Sequence, residues 1–274
     1  MAEEPLLVTG RARSADGVEI AYSHRGEGAT ALLLIHGGLA NRSFWRPQIA
    51  ALAGQFRVVA IDLAGHGASG ADRRTWTIPA FAADVSAVAE ALDLRRVVLV
   101  GNSLGGAVAL EAARLLRGRA IGVVGVDTLH DLSQTIDPGE ARVRAEAFRN
   151  DFAGTCHAMV EALFHPGAYP ELRAWAEKEM WAAPVEVVAR MMEGFGGYDM
   201  AAAARAAGVP LRAINGDLWP TGIETNRAIA PGFDAVIMAG AGHYPMLERP
   251  EEFNRHLVSV VADIERAEPA APAR

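Results

Sequence analysis

Short, mostly apolar blocks recur along the chain, at 31–35, 57–61, 97–100, 121–126, 211–214 and 235–238. They lack polar alternation, the pattern expected of strands covered on both faces in a parallel sheet. Between them lie stretches with helical spacing, at 44–53, 78–92, 104–116, 222–230 and 250–264. Strand alternating with helix predicts an α/β fold, with crossover helices on both faces of the sheet. Ahead of the first block, alternating stretches near 11–14 and 18–23 flank Asp16-Gly17. That pair predicts a hairpin with positive φ at both central positions.

One gap breaks the rhythm. After Val126, about eighty residues pass before the next apolar block, too long for a structureless loop in a compact domain. The stretch 128–208 is helical in pattern, broken at Pro138-Gly139, Gly154, Pro166-Gly167, Pro184 and Gly194 through Gly197. It predicts a helical insertion over one end of the sheet. It holds much of the aromatic and methionine content, and most of those side chains, Trp175, Trp181, Met191 and Phe195 among them, are expected only to fasten the insertion to the core.

Composition narrows the classes. At 274 residues, 51% hydrophobic and 22% charged, the chain has enough apolar content for one large folded domain and is not a disordered one. A net charge of -7 disfavours nucleic acid as a partner, since such binding rests on phosphate neutralisation. The lone Cys156 forms no internal disulfide. No apolar run approaches the roughly 20 residues of a membrane span, and the acidic start at 1–5 is unlike a signal peptide. Cytoplasmic residence without a membrane partner is the expectation. The tail at 268–274 is expected to fray.

The chemistry concentrates where apolar blocks end. The block at 97–100 runs into a helical pattern through Gly101-Asn102-Ser103-Leu104-Gly105-Gly106. A Gly-x-Ser-x-Gly turn between buried strand and helix holds its serine in a strained conformation and lifts Oγ above the sheet edge. Side chains two residues to either side would strike backbone, so Gly101 and Gly105 are required. Ser103 is the candidate nucleophile. The N–H of Leu104, at the positive end of the helix, is one candidate donor to a developing oxyanion. The N–H of Gly38, in His36-Gly37-Gly38 after the block at 31–35, is the other.

Asp62-Leu63-Ala64-Gly65-His66-Gly67 reads as a turn held by Asp62 and His66 rather than as a substrate contact. Ala239-Gly240-Ala241-Gly242-His243 places a histidine at the same sheet edge as Ser103. Its ordinary pKa lies near operating pH, which makes His243 the candidate general base. Asp217 and Asp127 compete to orient the imidazole. Asp217 is favoured because its strand directly precedes that of His243; Asp127, ending the block at 121–126, is the alternative, with helix capping as its other role. The histidines show no paired metal-ligand spacing, so neither a metal nor an organic cofactor is expected.

These motifs resemble the α/β-hydrolase fold family over nearly the whole chain. The resemblance rests on His36-Gly37-Gly38, the segments from Asp62 to Gly67 and Gly101 to Gly106, and Gly242-His243-Tyr244-Pro245-Met246-Leu247-Glu248-Arg249-Pro250-Glu251. It implies an eight-stranded, mostly parallel sheet in a core of residues 1–127 and 209–274, with a helical cap at 128–208. It also implies Ser103 as nucleophile, His243 as base and Asp217 as acid. In one place the chain departs: the family's acid loop has two residues between a glycine and the aspartate, whereas Gly216 abuts Asp217, so Asp127 stays in play. Ser103 separates the chain from haloalkane dehalogenases and epoxide hydrolases of this fold, which use an aspartate there. Asn102 is similar to hydrolases that cleave carbon–carbon bonds, but these carry a tryptophan soon after the histidine, where this chain has Tyr244, Pro245 and Met246.

The resemblance therefore implies a carboxylesterase-like serine hydrolase that cleaves an ester, or a related acyl or carbon–carbon bond, of a small, largely apolar substrate through an acyl-enzyme. Two other classes stay open: a ligand receptor with slow hydrolysis, and a cofactor-free lyase or oxygenase. Substrate identity and oligomeric state are not specified.

Overall fold

The computed structural model describes residues 7–267, so the expectations for the start at 1–5 and the tail at 268–274 fall outside the described residues. The chain opens with β1 (Val8–Arg13), β2 (Glu19–Arg25) and β3 (Ala31–Ile35), then α1 (Arg46–Leu52), β4 (Arg57–Ile61) and α2 (Ile78–Ala91). Next come β5 (Val97–Asn102), α3 (Leu104–Leu115) and β6 (Ala120–Val126). The insertion follows as α4 (Pro138–Asn150), α5 (Phe152–Leu163), α6 (Pro170–Trp181), α7 (Val185–Phe195) and α8 (Met200–Ala207). The chain re-enters the sheet with β7 (Leu211–Gly216), α9 (Ile223–Ile229) and β8 (Asp234–Met238), and closes with α10 (Pro245–Glu248) and α11 (Pro250–Ala267).

The eight strands make one sheet in the order β1-β2-β4-β3-β5-β6-β7-β8. Only β2 runs against its neighbours, β1 and β4; every other pairing is parallel. Every residue of β3, β5 and β6 is buried, which is why these segments carry no polar alternation. Helices α2, α3 and α8 pack together on one side, and α1 packs with α11 on the other.

The hairpin forms, but its turn differs from the expectation. Strand pairing stops at Arg13 and Glu19, leaving a five-residue loop closed by Ser14 N–H to Val18 O at 2.8 Å. Only Gly17 takes positive φ, at 92°. Asp16 stays in an ordinary conformation because its carboxylate is engaged, accepting from Val18 N–H and pairing with Arg73 at 2.9 Å. The helix expected over 44–53 likewise starts as a 3-10 turn at Arg42–Trp45, capped by the Asn41 side chain, before becoming α-helical at Arg46.

Within the insertion, α4 packs on α7 and α5 on α6, roofing the C-terminal edge of the parallel strands. The last inserted helix, α8, packs instead on α3, so the roof ends at α7 and the chain returns to the sheet layer before residue 209. A further detail sets the register of the sheet centre. Val97 pairs with Ala120 but Val98 with Gly122, so Ile121 is a surplus residue, and from there the two strands march together to Asn102 opposite Val126.

The glycines of the strand-to-helix turn have no slack. A Cβ on Gly101 would lie 2.0 Å from Gly105 O, and one on Gly105 would lie 2.5 Å from Ile35 O, both backbone atoms that cannot swing aside. Gly101→Ala is therefore expected to cost about 3 kcal/mol, the upper end for overpacking a core. Gly54→Ala, where an added Cβ meets nothing within 4 Å, is the control and should melt with the wild type. Thermal denaturation of the two variants checks this; equal melting temperatures would refute the packing argument.

Candidate active site

The turn after β5 gives Ser103 φ 54° and ψ −121°, a backbone region that side chains avoid and that costs on the order of 1–3 kcal/mol to hold. Its N–H donates to Val126 O at 3.2 Å, and Gly106 N–H donates to Ser103 O at 2.9 Å, so the strain is fixed from both sides. Ser103 therefore stands at the first turn of α3 with Leu104 as the first helical residue. Ser103, Leu104, Gly38 and His243 line one cavity of about 210 Å³ under the roof. The residues singled out in the sequence as candidate nucleophile, base and oxyanion donors thus share one cavity.

The partner of the imidazole is a correction. His243 Nδ1 pairs with Asp127 Oδ2 at 2.6 Å, not with Asp217. The reason lies in how β7 ends. Its last residue, Gly216, donates its N–H to Asp127 Oδ1 at 2.9 Å, and a Cβ there would lie 2.2 Å from Ala241 O, so β7 already abuts the histidine loop. Asp217 follows directly, leaves the sheet edge exposed, and accepts from Gly240 N–H at 2.9 Å. With no residues between Gly216 and Asp217, the loop has no length with which to return its carboxylate to the imidazole. Asp217 props the turn before the histidine; Asp127 holds the ring.

Asp127 is almost fully buried and has φ 44°. Burial opposes its charge, but the imidazoles facing it outweigh that: His130 Nε2 lies 3.6 Å from Oδ1, and His243 takes Oδ2. Together they hold its pKa below the ordinary carboxylate value. His130 is itself anchored, with Nδ1 3.1 Å from the Thr221 hydroxyl.

Three supports of His243 were not read from the sequence. Asn102 Nδ2 bridges Val126 O at 2.9 Å and His243 O at 3.0 Å, tying the histidine loop to β6. Glu248, one turn on, accepts from the N–H groups of Gly242, Tyr244 and His165, each at 3.1 Å. Burial raises the Glu248 pKa in spite of these donors. Finally His243 N–H donates to Leu163 O at 2.7 Å, so the roof helix α5 holds the loop from above. These partners are 141, 5 and 80 positions away from His243, and no local pattern signals the two distant ones.

The motif at Asp62 is structural, as expected. Asp62 accepts from the N–H of Arg42 at 2.7 Å and of Ala68 at 2.8 Å, and it pairs with the Arg42 guanidinium. His36, fully buried, donates from Nδ1 to Gly37 O at 2.7 Å and accepts Leu63 N–H on Nε2 at 3.0 Å, which fixes it as a neutral tautomer. His66 packs beside it at 5.0 Å between ring centres. Burial lowers the pKa of His36 to about 4 and that of His66 to about 3.

Of the four roof residues singled out, Met191 and Phe195 do line the cavity, along with Met159, Leu163 and Met192. Trp175 instead packs on Phe44 at 4.9 Å, under Arg46, and Trp181 is exposed. Among the described residues no group of three or more His, Cys, Asp or Glu side chains is arranged to hold a metal ion, and no helix is long and apolar enough to cross a membrane.

Sheet order, the strained serine and the buried Asp-His pair are those of an α/β hydrolase fold. Comparison with known proteins agrees: the model of the alpha/beta hydrolase family matches residues 32–256, and the chain belongs to that family. It is similar to a pimeloyl-[acyl-carrier protein] methyl ester esterase of Stenotrophomonas maltophilia, 28% identical over 252 residues, covering 86% of this chain and 95% of that one. A structure of a thermophilic esterase from Thermogutta terrifontis with malate bound superposes with a TM-score of 0.81 at 26% identity, covering 94% of this chain and 99% of that one. An uncharacterized protein of Mycobacterium tuberculosis is 41% identical over 101 residues, 37% of this chain; the chain spans only 29% of that protein's length.

The neutral histidines make stability depend on pH. Unfolded, each takes up a proton near pH 6.5; folded, His36 does so only near 4 and His66 only near 3. Because the unfolded state binds more protons across that window, the stabilisation is whole above pH 6.5 and is lost as pH falls toward 4. Denaturant titrations should show a loss of about 2 kcal/mol from His36 between pH 6.5 and 4.5, and His36→Gln should flatten that slope. A wild-type slope unchanged by the substitution would contradict the assignment.

Proposed function

We propose that the chain is a serine esterase that cleaves small esters with a largely apolar body through an acyl-enzyme. The observation that carries this reading is the 2.6 Å contact of His243 Nδ1 with buried Asp127, on an imidazole that shares its cavity wall with Ser103. With Nδ1 committed to the carboxylate, Nε2 is the ring nitrogen left for proton transfer. Ser103 Oγ attacks the ester carbonyl carbon while His243 takes the hydroxyl proton, and Asp127 stabilises the imidazolium that forms. The carbonyl oxygen becomes an oxyanion facing the N–H groups of Leu104 and Gly38, a kind of donor whose loss commonly costs about 10²–10³ in turnover. The carbon–oxygen bond to the alcohol then breaks, and that alcohol leaves with the proton from His243. A water molecule, deprotonated by the same imidazole, releases the acid and restores Ser103.

The apolar walls supplied by Met159, Met191, Met192 and Phe195 support a hydrocarbon-rich substrate over a strongly polar one. Similarity to esterases, on the chain's whole fold and over most of its length, supports the bond type.

A fluorophosphonate probe followed by peptide mapping should modify Ser103, and p-nitrophenyl butyrate should turn over many times per chain. Ser103→Ala should abolish both. A single burst with stable modification would favour a receptor. Activity kept in Ser103→Ala but lost in His243→Ala would favour base catalysis without acylation.

The two aspartates should separate cleanly on the same substrate. Asp127→Asn is expected to lower kcat by about 10³–10⁴, the loss seen when a triad imidazole is left in the wrong tautomer. Asp217→Asn removes only an exposed turn contact and should stay within a few-fold of wild type. The reverse order of effects would restore Asp217 as the acid.

A further inference from the structure

We propose that Arg144 recognises a carboxylate on the substrate, at the end remote from the scissile carbonyl, and so sets the enzyme's specificity for anionic esters; this rests on the esterase reading above. The active-site cavity is largely apolar beyond Ser103, His243 and Tyr244, with Ile136, Ala141, Met159, Leu163, Met191 and Phe195 on its walls. Arg144 is the one lysine, arginine, aspartate or glutamate that lines it. Arg144 and Ala141 lie one turn apart on α4, and the small Ala141 leaves room beside the guanidinium.

The roof satisfies its other arginines. Arg149 Nη1 reaches Glu146 and Glu193 and its Nε reaches Glu186, Arg173 pairs with Glu161, and Arg190 pairs with Glu186. Arg142 donates to Pro138 O at 3.2 Å. Among the described residues, Arg144 alone of these has no hydrogen bond or ion pair. An arginine with a free planar fork at the rim of an apolar chamber is suited to bidentate capture of a carboxylate.

The neighbouring surface says which way that fork is useful. Arg144, Ile136 and Phe195 also border a second cavity of about 300 Å³, but Asp131 and Glu140 line that one. An anion entering there meets two carboxylates, whereas on the side of Ser103 it meets none. The anion therefore belongs to a substrate whose apolar body occupies the chamber and whose charged end stops at α4. Whether that end is on the acyl part or on the alcohol part is left to two experimental arms.

The acyl arm compares the mono-p-nitrophenyl esters of adipate and suberate with p-nitrophenyl butyrate. The alcohol arm compares 4-acetoxybenzoate with its methyl ester. The readout is the ratio of kcat/KM for the anionic ester over its neutral partner. In at least one arm Arg144→Gln should lower that ratio about tenfold, through KM rather than kcat, as expected for the loss of one partly exposed charge-assisted contact. Arg144→Glu should lower it further, and Arg144→Lys should recover part of it. The proposal is overturned if the Gln and Glu variants both keep the ratio within twofold of wild type in both arms. That result, with Ser103-dependent turnover of the neutral esters intact, leaves the esterase reading standing. No Ser103-dependent turnover of any ester would bring down both.

Discussion

The site depends on a carboxylate that the sheet buries and the imidazole satisfies. An unpartnered charge at the position of Asp127 would be costly to fold around, by several kcal/mol. The structure meets that cost with three contacts from three places: an N–H from the end of β7, the ring of His243 from beyond β8, and the ring of His130 from the start of the insertion. Asp127 therefore organises its surroundings as much as it is positioned by them. Backbone strain gathers in the same region. Of the five non-glycine residues with positive φ among those described, Leu39, Ser103, Asp127 and Leu129 all follow the C-terminal ends of sheet strands, with only Asp93 elsewhere. Local geometry this unfavourable persists where surrounding contacts over-determine it.

The roof and the core divide the work. The core supplies Ser103 and His243 on short turns pinned to buried strands, and the roof supplies methionine and phenylalanine walls to the cavity they line. Methionine suits such walls, since its unbranched thioether adapts to ligands of different outline. The two parts are also joined: Leu163, at the end of α5, accepts from the backbone of His243. Beneath this, His36 and His66 remain uncharged in the core, one bonding to both of its neighbouring loops, so they serve as fixed struts rather than proton carriers.

Much of the architecture was legible because buried parallel strands leave a strong mark. The blocks at 31–35 and 57–61 match their strands to the residue, and the steric demands of Gly101 and Gly105 are stated by the motif itself. The placement of Ser103 and His243 at one cavity was legible for the same reason, since each follows the end of an apolar block. The partner of the imidazole was harder. Asp127 and Asp217 both follow strands at the correct edge, and strand adjacency favoured Asp217, whereas the ring pairs with Asp127. What decides is that Gly216 reaches the histidine loop and spends its N–H on Asp127, a contact across 89 positions that no local pattern encodes. The brace from Asn102 to the histidine backbone was hidden for the same reason. The cavity role of Met191 and Phe195 was illegible because lining and fastening call for identical side chains.

The surplus residue in β6 has a reach far beyond its own position. Were Ile121 paired with Val98 instead of left surplus, each later residue of β6 would stand one place off against β5, and Val126 rather than Asp127 would come level with Ser103. Side chains in a strand alternate in direction, so that offset would also turn the carboxylate away from its present bearing. An irregularity at the distant rim of the sheet thus acts as a phase-setter for the opposite rim, matching acid to hydroxyl across a span of ordinary, evenly paired backbone.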